Sequence, residues 1–221
     1  MTYRELINEV LMRLREPIIK YDWSGAIGSD DTLTEYQRIV GMLVNDAKKS
    51  VENYHDWLIL RQSLSLNTSS GVKNYNLSSG DTIKVIEIIN QSTGVKLKQV
   101  SRQFMNSLMY PSEASGDPVY YCFNGADSSN NLKIDLSPIP NKSETLTIDT
   151  SIPQAPLSLA TDVIKVPTHP VILGAWGRAV TERGEDGGRT AQLILAESIE
   201  SMKQAIMIDS GNTQYESDWY V

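Results

Sequence analysis

The chain has 221 residues and a formal net charge of −7, with 40% apolar and 21% charged residues. That balance suits a folded globular protein and excludes a wholly disordered one. A single cysteine, Cys122, excludes an intramolecular disulfide framework and a cysteine-rich zinc site; two histidines, His55 and His169, leave few ligands for a transition metal; and 27 acids against 20 bases argue against an electrostatic grip on nucleic acid.

The chain opens on an amphipathic helix. Leu6, Ile7, Val10, Leu11 and Leu14 recur at helical spacing between Thr2 and Arg15. Thr2 and Glu5 form a capping-box pattern, and Pro17 ends the helix. Lys20 to Asp31, with Gly25 and Gly28, reads as a loop. Thr32 and Glu35 repeat the capping pattern before Tyr36, Ile39, Val40, Leu43, Val44, Ala47, Val51 and Tyr54. That stripe predicts a helix of about six turns from about Leu33 to Tyr54, with Lys48 and Glu52 among the residues off the stripe.

The texture then changes to short alternating runs. Leu58, Leu60, Leu64 and Leu66 alternate with polar residues, and Ser69-Ser70-Gly71 turns the chain into Tyr75 and Leu77. Ser78-Ser79-Gly80-Asp81 is a further turn before the β-branched run Ile83, Val85, Ile86, Ile88 and Ile89, and Thr93-Gly94 leads into Val95, Leu97 and Val100. Ser101 to Tyr110 fits one short helix. Strands resume at Val119, Tyr121 and Phe123, with Asn124-Gly125 as a turn signal extended by Ala126 to Asn131. Leu132 to Leu136 alternates cleanly until Pro138, and Thr145 to Ile148 is the last strand. Ile152 to Leu157 reads as a return linker.

Helical spacing returns with Val171, Ile172, Ala175, Trp176, Ala179 and Val180, with Thr168 as N-cap and Arg183-Gly184 as the end. A last helix carries Ala191, Leu195, Ile199, Met202 and Ile206. Neither helical pair can bury its stripe well alone, so all four are expected to pack together. The fold class is therefore α+β: a four-helix domain built from both termini (1–56 and 165–208) with an inserted small antiparallel sheet or barrel (57–164), followed by a C-terminal tail, 209–221.

Signatures of chemistry are missing. The sequence holds no Walker loop, dinucleotide glycine fingerprint, HExxH pair or GxSxG elbow. Cys122 reads as a free thiol in a strand, His169 as a cap or packing residue, and His55 as a contact to a helix C-terminus. Glu182, Glu185 and Asp186, like Asp30 and Asp31, read as acidic turns, and Gly184, Gly187 and Gly188 as turn formers. No catalytic residue, cofactor site or metal site is assigned. The polar tail ending in Tyr215, Trp219 and Tyr220 cannot bury those rings against itself; they anchor a partner or rest on their own domain. No run approaches the roughly 20 apolar residues of a membrane span, and no signal-peptide pattern opens the chain, so synthesis in a cytoplasm is expected.

Four segments carry a family likeness. They are Glu5-Leu6-Ile7-Asn8-Glu9-Val10-Leu11 with its following loop and longer helix; Trp57-Leu58 leading to Leu64-Ser65-Leu66, Gly71 and Tyr75-Asn76-Leu77; Leu132-Lys133-Ile134-Asp135-Leu136-Ser137-Pro138-Ile139-Pro140; and Asp162-Val163-Ile164-Lys165-Val166-Pro167-Thr168-His169-Pro170 before Trp176, Ala179 and Gly187. In this order and texture, over roughly 1–208, the chain resembles the head-to-tail adaptor proteins of short-tailed bacteriophages, the group that includes tail tubular protein A.

The resemblance implies a structural virion protein of the neck, made in the host cytoplasm, whose helical part builds a twelve-subunit ring enclosing the DNA without sequence-specific binding. It implies a β part facing the next tail component, a nozzle or tail-tube protein, and a C-terminal segment docking on the portal protein. Tyr215, Trp219 and Tyr220 are the expected portal-docking residues. The family supplies no catalytic residue to transfer. Alternatives are another neck or tail-completion component on the nozzle side, or a carbohydrate-active enzyme using acids such as Glu182 and Asp186.

Overall fold

The computed structural model describes residues 1–23, 25–27, 32–77, 83–110, 113–184 and 188–212, with Met109 described by its backbone alone. The expected turn at Ser78 to Asp81, the acids Asp30, Asp31, Glu185 and Asp186, the glycines Gly28 and Gly187, and the rings Tyr215, Trp219 and Tyr220 lie outside the described residues. The fold is α+β, in two compact units. One comprises Met1–Leu60 together with the chain from Pro153 onward, and the other is Arg61–Ile152.

The first unit is built on helices. In Tyr3–Arg13 (α1) the Thr2 and Glu5 capping box forms: the Thr2 amide donates to Glu5 Oε2 at 2.8 Å and the Glu5 amide to Thr2 Oγ1 at 3.3 Å. Tyr3, Leu6, Ile7, Val10 and Leu11 are the buried stripe. The helix stops before Pro17 acts. The Arg15 amide donates to the Met12 carbonyl and the Glu16 amide to the Leu11 carbonyl, a Schellman end with Arg15 in the left-handed region at φ 58°.

Glu35–Tyr54 (α2) begins two residues later than the Thr32 and Glu35 pattern predicts. Thr34 and Gln37 form the capping box instead, at 3.0 and 3.2 Å. Tertiary contacts select this box: Leu33 is buried in the core ahead of the helix, and Gln37 also donates to the Pro17 carbonyl. The predicted stripe is buried at Val40, Val44, Ala47 and Val51, but Tyr54 faces solvent.

Thr168–Arg183 (α4) has Pro167 rather than Thr168 as its N-cap, tolerates Pro170 in its first turn, and ends at Gly184 with φ 65°. It is buried nearly all round, including Leu173, Gly174 and Gly177, which a one-faced stripe does not predict. It packs on α1, α2 and the last helix, Arg189–Gly211 (α5). A Cβ at Gly177 would stand 2.8 Å from Leu195 Cγ, so this glycine sets the close approach of α4 to α5.

The return segment, 153–166, is part of this helical unit: Leu157, Ala160, Ile164 and Val166 are buried with the helices. So are Trp57 and Leu60, the latter in the 3-10 turn Leu58–Leu60 where the alternation predicts a strand. The side chains that hold the return segment come largely from α2. Asn45 brackets Leu157, donating to its carbonyl and accepting from its amide, both at 2.9 Å. Lys48 and Glu52, four residues apart, form a fully buried ion pair at 3.0 Å. Lys48 Nζ also donates to the Gln154 carbonyl at 2.7 Å, and the Gln154 amide donates to Glu52 at 3.2 Å. The Trp23 indole donates to the Ser158 carbonyl, and the Tyr3 amide to that of Asp162.

The second unit holds two sheets. Arg61–Asn67 (β1), Thr145–Ser151 (β7) and Lys84–Asn90 (β3) form an antiparallel sheet in the order β1-β7-β3. Asn74–Leu77 (β2), Leu132–Ser137 (β6), Tyr120–Ala126 (β5) and Lys98–Gln99 (β4) form the other in the order β2-β6-β5-β4, with β4 parallel to β5. The arrangement is thus two sheets, one of them mixed, where the sequence suggested a single antiparallel sheet or barrel. They share one core: Ile88, Leu146 and Ile148 from the first, Tyr75, Leu77, Tyr121, Ile134 and Leu136 from the second. The first and last strands pair from Arg61 opposite Ser151 to Asn67 opposite Thr145.

Two local expectations change here. Asn124-Gly125 lies within β5 as an irregularity between Phe123 and Ala126. The reversal comes later, where Asp127 accepts the Ser129 and Asn131 amides at 2.8 Å each. Asp135, a polar position in the cleanest alternation, is buried; Arg102 of Arg102–Met109 (α3), Asn74 and Asn124 donate to its carboxylate.

Removing one partner of the Lys48–Glu52 pair leaves a buried charge. Lys48→Met is expected to cost about 3–5 kcal/mol, and Lys48→Met with Glu52→Leu distinctly less, read from urea unfolding midpoints. The backbone amides of Ser158, first, and Leu159 hold the Asp162 carboxyl below the usual carboxylate range. Its stabilising contribution is complete above that range and is lost as pH falls through the lowered value. Urea midpoints at neutral and acidic pH should therefore converge more for Asp162→Asn than for the unaltered protein.

Candidate interaction surfaces

Among the described residues, the helices that fill the first unit leave one long face uncovered. α5 buries Ala191, Ile194, Ser198 and Met202 toward α4. Its outer side presents Leu193, Met207 and Ile208, exposed at 71%, 74% and 71%. Ile199, predicted on the buried stripe, is exposed as well, while Leu195 is half-buried. Glu197, Glu200 and Lys203 stand among these apolar side chains, with Lys203 3.4 Å from Glu200. The sequence did carry a signal for this second face. Leu193-Ile194-Leu195 and Ala205-Ile206-Met207-Ile208 are consecutive apolar runs, and consecutive residues on a helix cannot share one face.

The far end of α5 is tied to α2. Asp209 Oδ2 lies 3.0 Å from His55 Nε2 and accepts the Leu58 amide at 3.2 Å. His55 is the C-cap residue of α2, and its ring meets Trp57 edge to face at 5.0 Å. His55 thus stands at the helix C-terminus that the sequence suggests and contacts a carboxylate there as well. Asp209 holds together the last turn of α5 and the backbone that runs into β1.

At the other end of α5, a cleft of about 430 Å³ is lined by Arg13, Arg15, Trp176, Arg183 and Thr190 among others. The Arg13 guanidinium lies 5.9 Å from the Trp176 ring centroid and pairs with Glu9 at 3.1 Å. Arg183 lies over Tyr36 at 4.7 Å, donates to its hydroxyl at 2.8 Å, and pairs with Glu16. Three arginines converge here although the chain as a whole is acidic.

The remaining sequence candidates are dispersed. Cys122 is a buried free thiol on β5, with Arg102 Nη1 3.7 Å from its sulfur. His169 is exposed on the first turn of α4 and neither caps nor packs; Pro167 takes the cap position. Glu182 is exposed near the end of α4. Among the described residues no group of three His, Cys, Asp or Glu side chains is disposed to hold a metal ion, and no helix is long and apolar enough to cross a membrane.

An uncovered apolar helix face and a concave arginine cluster are features of a protein that works through its contacts. Residues 1–217 match the family model described as SU10 adaptor protein, and the chain belongs to that family. It is a bacteriophage adaptor protein with a structural role, in agreement with its resemblance to phage head-to-tail adaptors. No curated protein matches it.

Asp209→Ala should free the backbone ahead of β1. The Leu58 amide is expected to exchange with solvent about tenfold faster, as loss of a hydrogen bond to a charged group implies, with the far-ultraviolet circular dichroism unchanged.

Proposed function

We propose that the chain is the subunit of an adaptor ring that joins the phage portal to the tail and encloses the DNA channel in the virion neck. The observation that carries this reading is the apolar outer face of α5 in a member of an adaptor family. Side chains such as Leu193 and Met207 lose their contact with water only when another surface covers them, and each repeats in every copy of a ring. The helical unit makes the subunit contacts, with twelve copies as the expected ring. The β unit meets the nozzle or tail-tube protein, and Tyr215, Trp219 and Tyr220 dock on the portal. The work is assembly, with no catalytic step.

The acidic balance fits a conduit. A lumen that repels the duplex lets it pass, whereas cationic contacts to phosphates would hold it. A strongly basic lumen in an assembled ring would overturn this part of the reading.

The test is electron microscopy of the purified protein mixed with its portal. A ring of subunits on the portal is expected. Truncation after Ser210 should abolish portal binding while thermal unfolding stays near that of the full chain. Leu193→Glu with Met207→Glu should prevent the ring and leave the monomer folded. Rings formed by that double variant would remove α5 from the subunit contact.

A further inference from the structure

We propose that the outer edge of β1 is a docking edge whose occupant is β1 of a second copy of this chain, paired antiparallel about a two-fold axis at Leu64. The inference rests on the β unit alone and not on the ring reading.

The direction of the main-chain groups comes first. In an antiparallel pair, alternate residues turn their amide and carbonyl toward the partner strand and the others turn them away. The Thr68 amide donates to the Glu144 carbonyl at 2.8 Å, and the Gln62 carbonyl accepts from the Thr150 hydroxyl at 2.9 Å. Even-numbered positions of β1 therefore face β7. The other side of β7 agrees: the carbonyl of Thr145, an odd-numbered position, accepts the Gln91 amide from the β3 side at 3.0 Å. Arg61, Ser63, Ser65 and Asn67 thus each turn one donor and one acceptor outward. Among the described residues these main-chain groups have no hydrogen-bond partner.

Open sheet edges are normally blunted. β3 is irregular between Val85 and Glu87, and its Asn90 amide and Ile88 carbonyl are bonded to Val95 and Leu97. β2 has four residues and β4 two. β1 has seven, pairs with β7 without interruption, and contains neither proline nor lysine. Its Arg61, Ser63, Ser65 and Asn67 are exposed, and Leu64 and Leu66 are only half-buried. So long and regular an edge is a template for one more strand.

The residues of β1 select the occupant. The strand reads Arg61-Gln62-Ser63-Leu64-Ser65-Leu66-Asn67. Set antiparallel against itself with Leu64 opposite Leu64, it places Ser63 opposite Ser65 and Arg61 opposite Asn67. Every outward donor and acceptor of both copies is then used, no charge opposes a like charge, and the two Leu64 side chains cover each other. A slip of two residues in either direction leaves the outward groups at one end of the strand unpaired. The two three-stranded sheets become one continuous sheet. The contact is isologous, unlike the heterologous neighbour contact of a cyclic ring, so the adaptor reading stands or falls separately.

The test is sedimentation of the full-length chain at tens of micromolar, where a dimer is expected. Ser65→Pro removes an outward amide and leaves the β7 ladder intact, because that amide is not part of it. It should raise the dimer dissociation constant about tenfold or more, with thermal unfolding near that of the unaltered chain. Leu64→Cys reads the register. The two positions form a non-hydrogen-bonded pair with Cα atoms about 4.5 Å apart, within disulfide range. Mild oxidation should cross-link Leu64→Cys as a dimer and leave Leu66→Cys uncross-linked, the native Cys122 being buried. A monomer at these concentrations overturns the proposal, as does failure of Leu64→Cys to cross-link. So does a dimer that Ser65→Pro leaves intact and Leu193→Glu with Met207→Glu abolishes, which would assign the contact to α5.

Discussion

The helical unit depends on how the chain comes back to it. Between α2 and α4 the backbone leaves for a whole β unit, and α4 must then enter the middle of a core already bounded by α1 and α2. An irregular segment beside an apolar core carries amide and carbonyl groups that need partners. Asn45 supplies both partners to Leu157, and the buried Lys48–Glu52 pair grips Gln154. A buried ion pair is a weak source of net stability. Here its polar atoms are engaged by the backbone that it positions.

That delivery explains why α4 is so unlike the other helices. Its neighbours lie on several sides, so small residues occur where α2 and α5 come close. Gly174 approaches Ala47 and Ser198, and Gly177 approaches Leu195. α5 is the outermost layer of this packing, and one of its faces has no partner among the described residues. The apolar outer face therefore follows from the order in which the helices are stacked. An adaptor acts by being covered on such faces, which links the packing to the role.

The β unit is self-contained in a different way. Its first and last strands are paired along their length, so the insertion closes on itself, and the two sheets share a core of large apolar side chains. Asp135 shows how polar groups are accommodated there. A carboxylate inside a sheet is satisfied by Arg102, Asn74 and Asn124, which approach from three separate segments.

What the residues decide by themselves is local and periodic. The opening capping box, the helix end at Gly184, the existence of each described α-helix and the switch to β texture after α2 are legible because each depends on neighbours a few positions away. So was the α+β class, and the order and texture of four segments sufficed to indicate the family. The choice between two capping boxes ahead of α2, the burial of Lys48, Glu52 and Asp135, and which of the two apolar faces of α5 is covered were not legible. Each depends on groups far away in the chain: Pro17 for Gln37, Gln154 for the ion pair, Arg102 for Asp135 and α4 for α5. The arginine cleft is of the same kind, drawing on α1, α4 and the start of α5. Sequence periodicity reports which faces are apolar. Only tertiary packing decides which of those faces is covered within the chain and which is left for a partner.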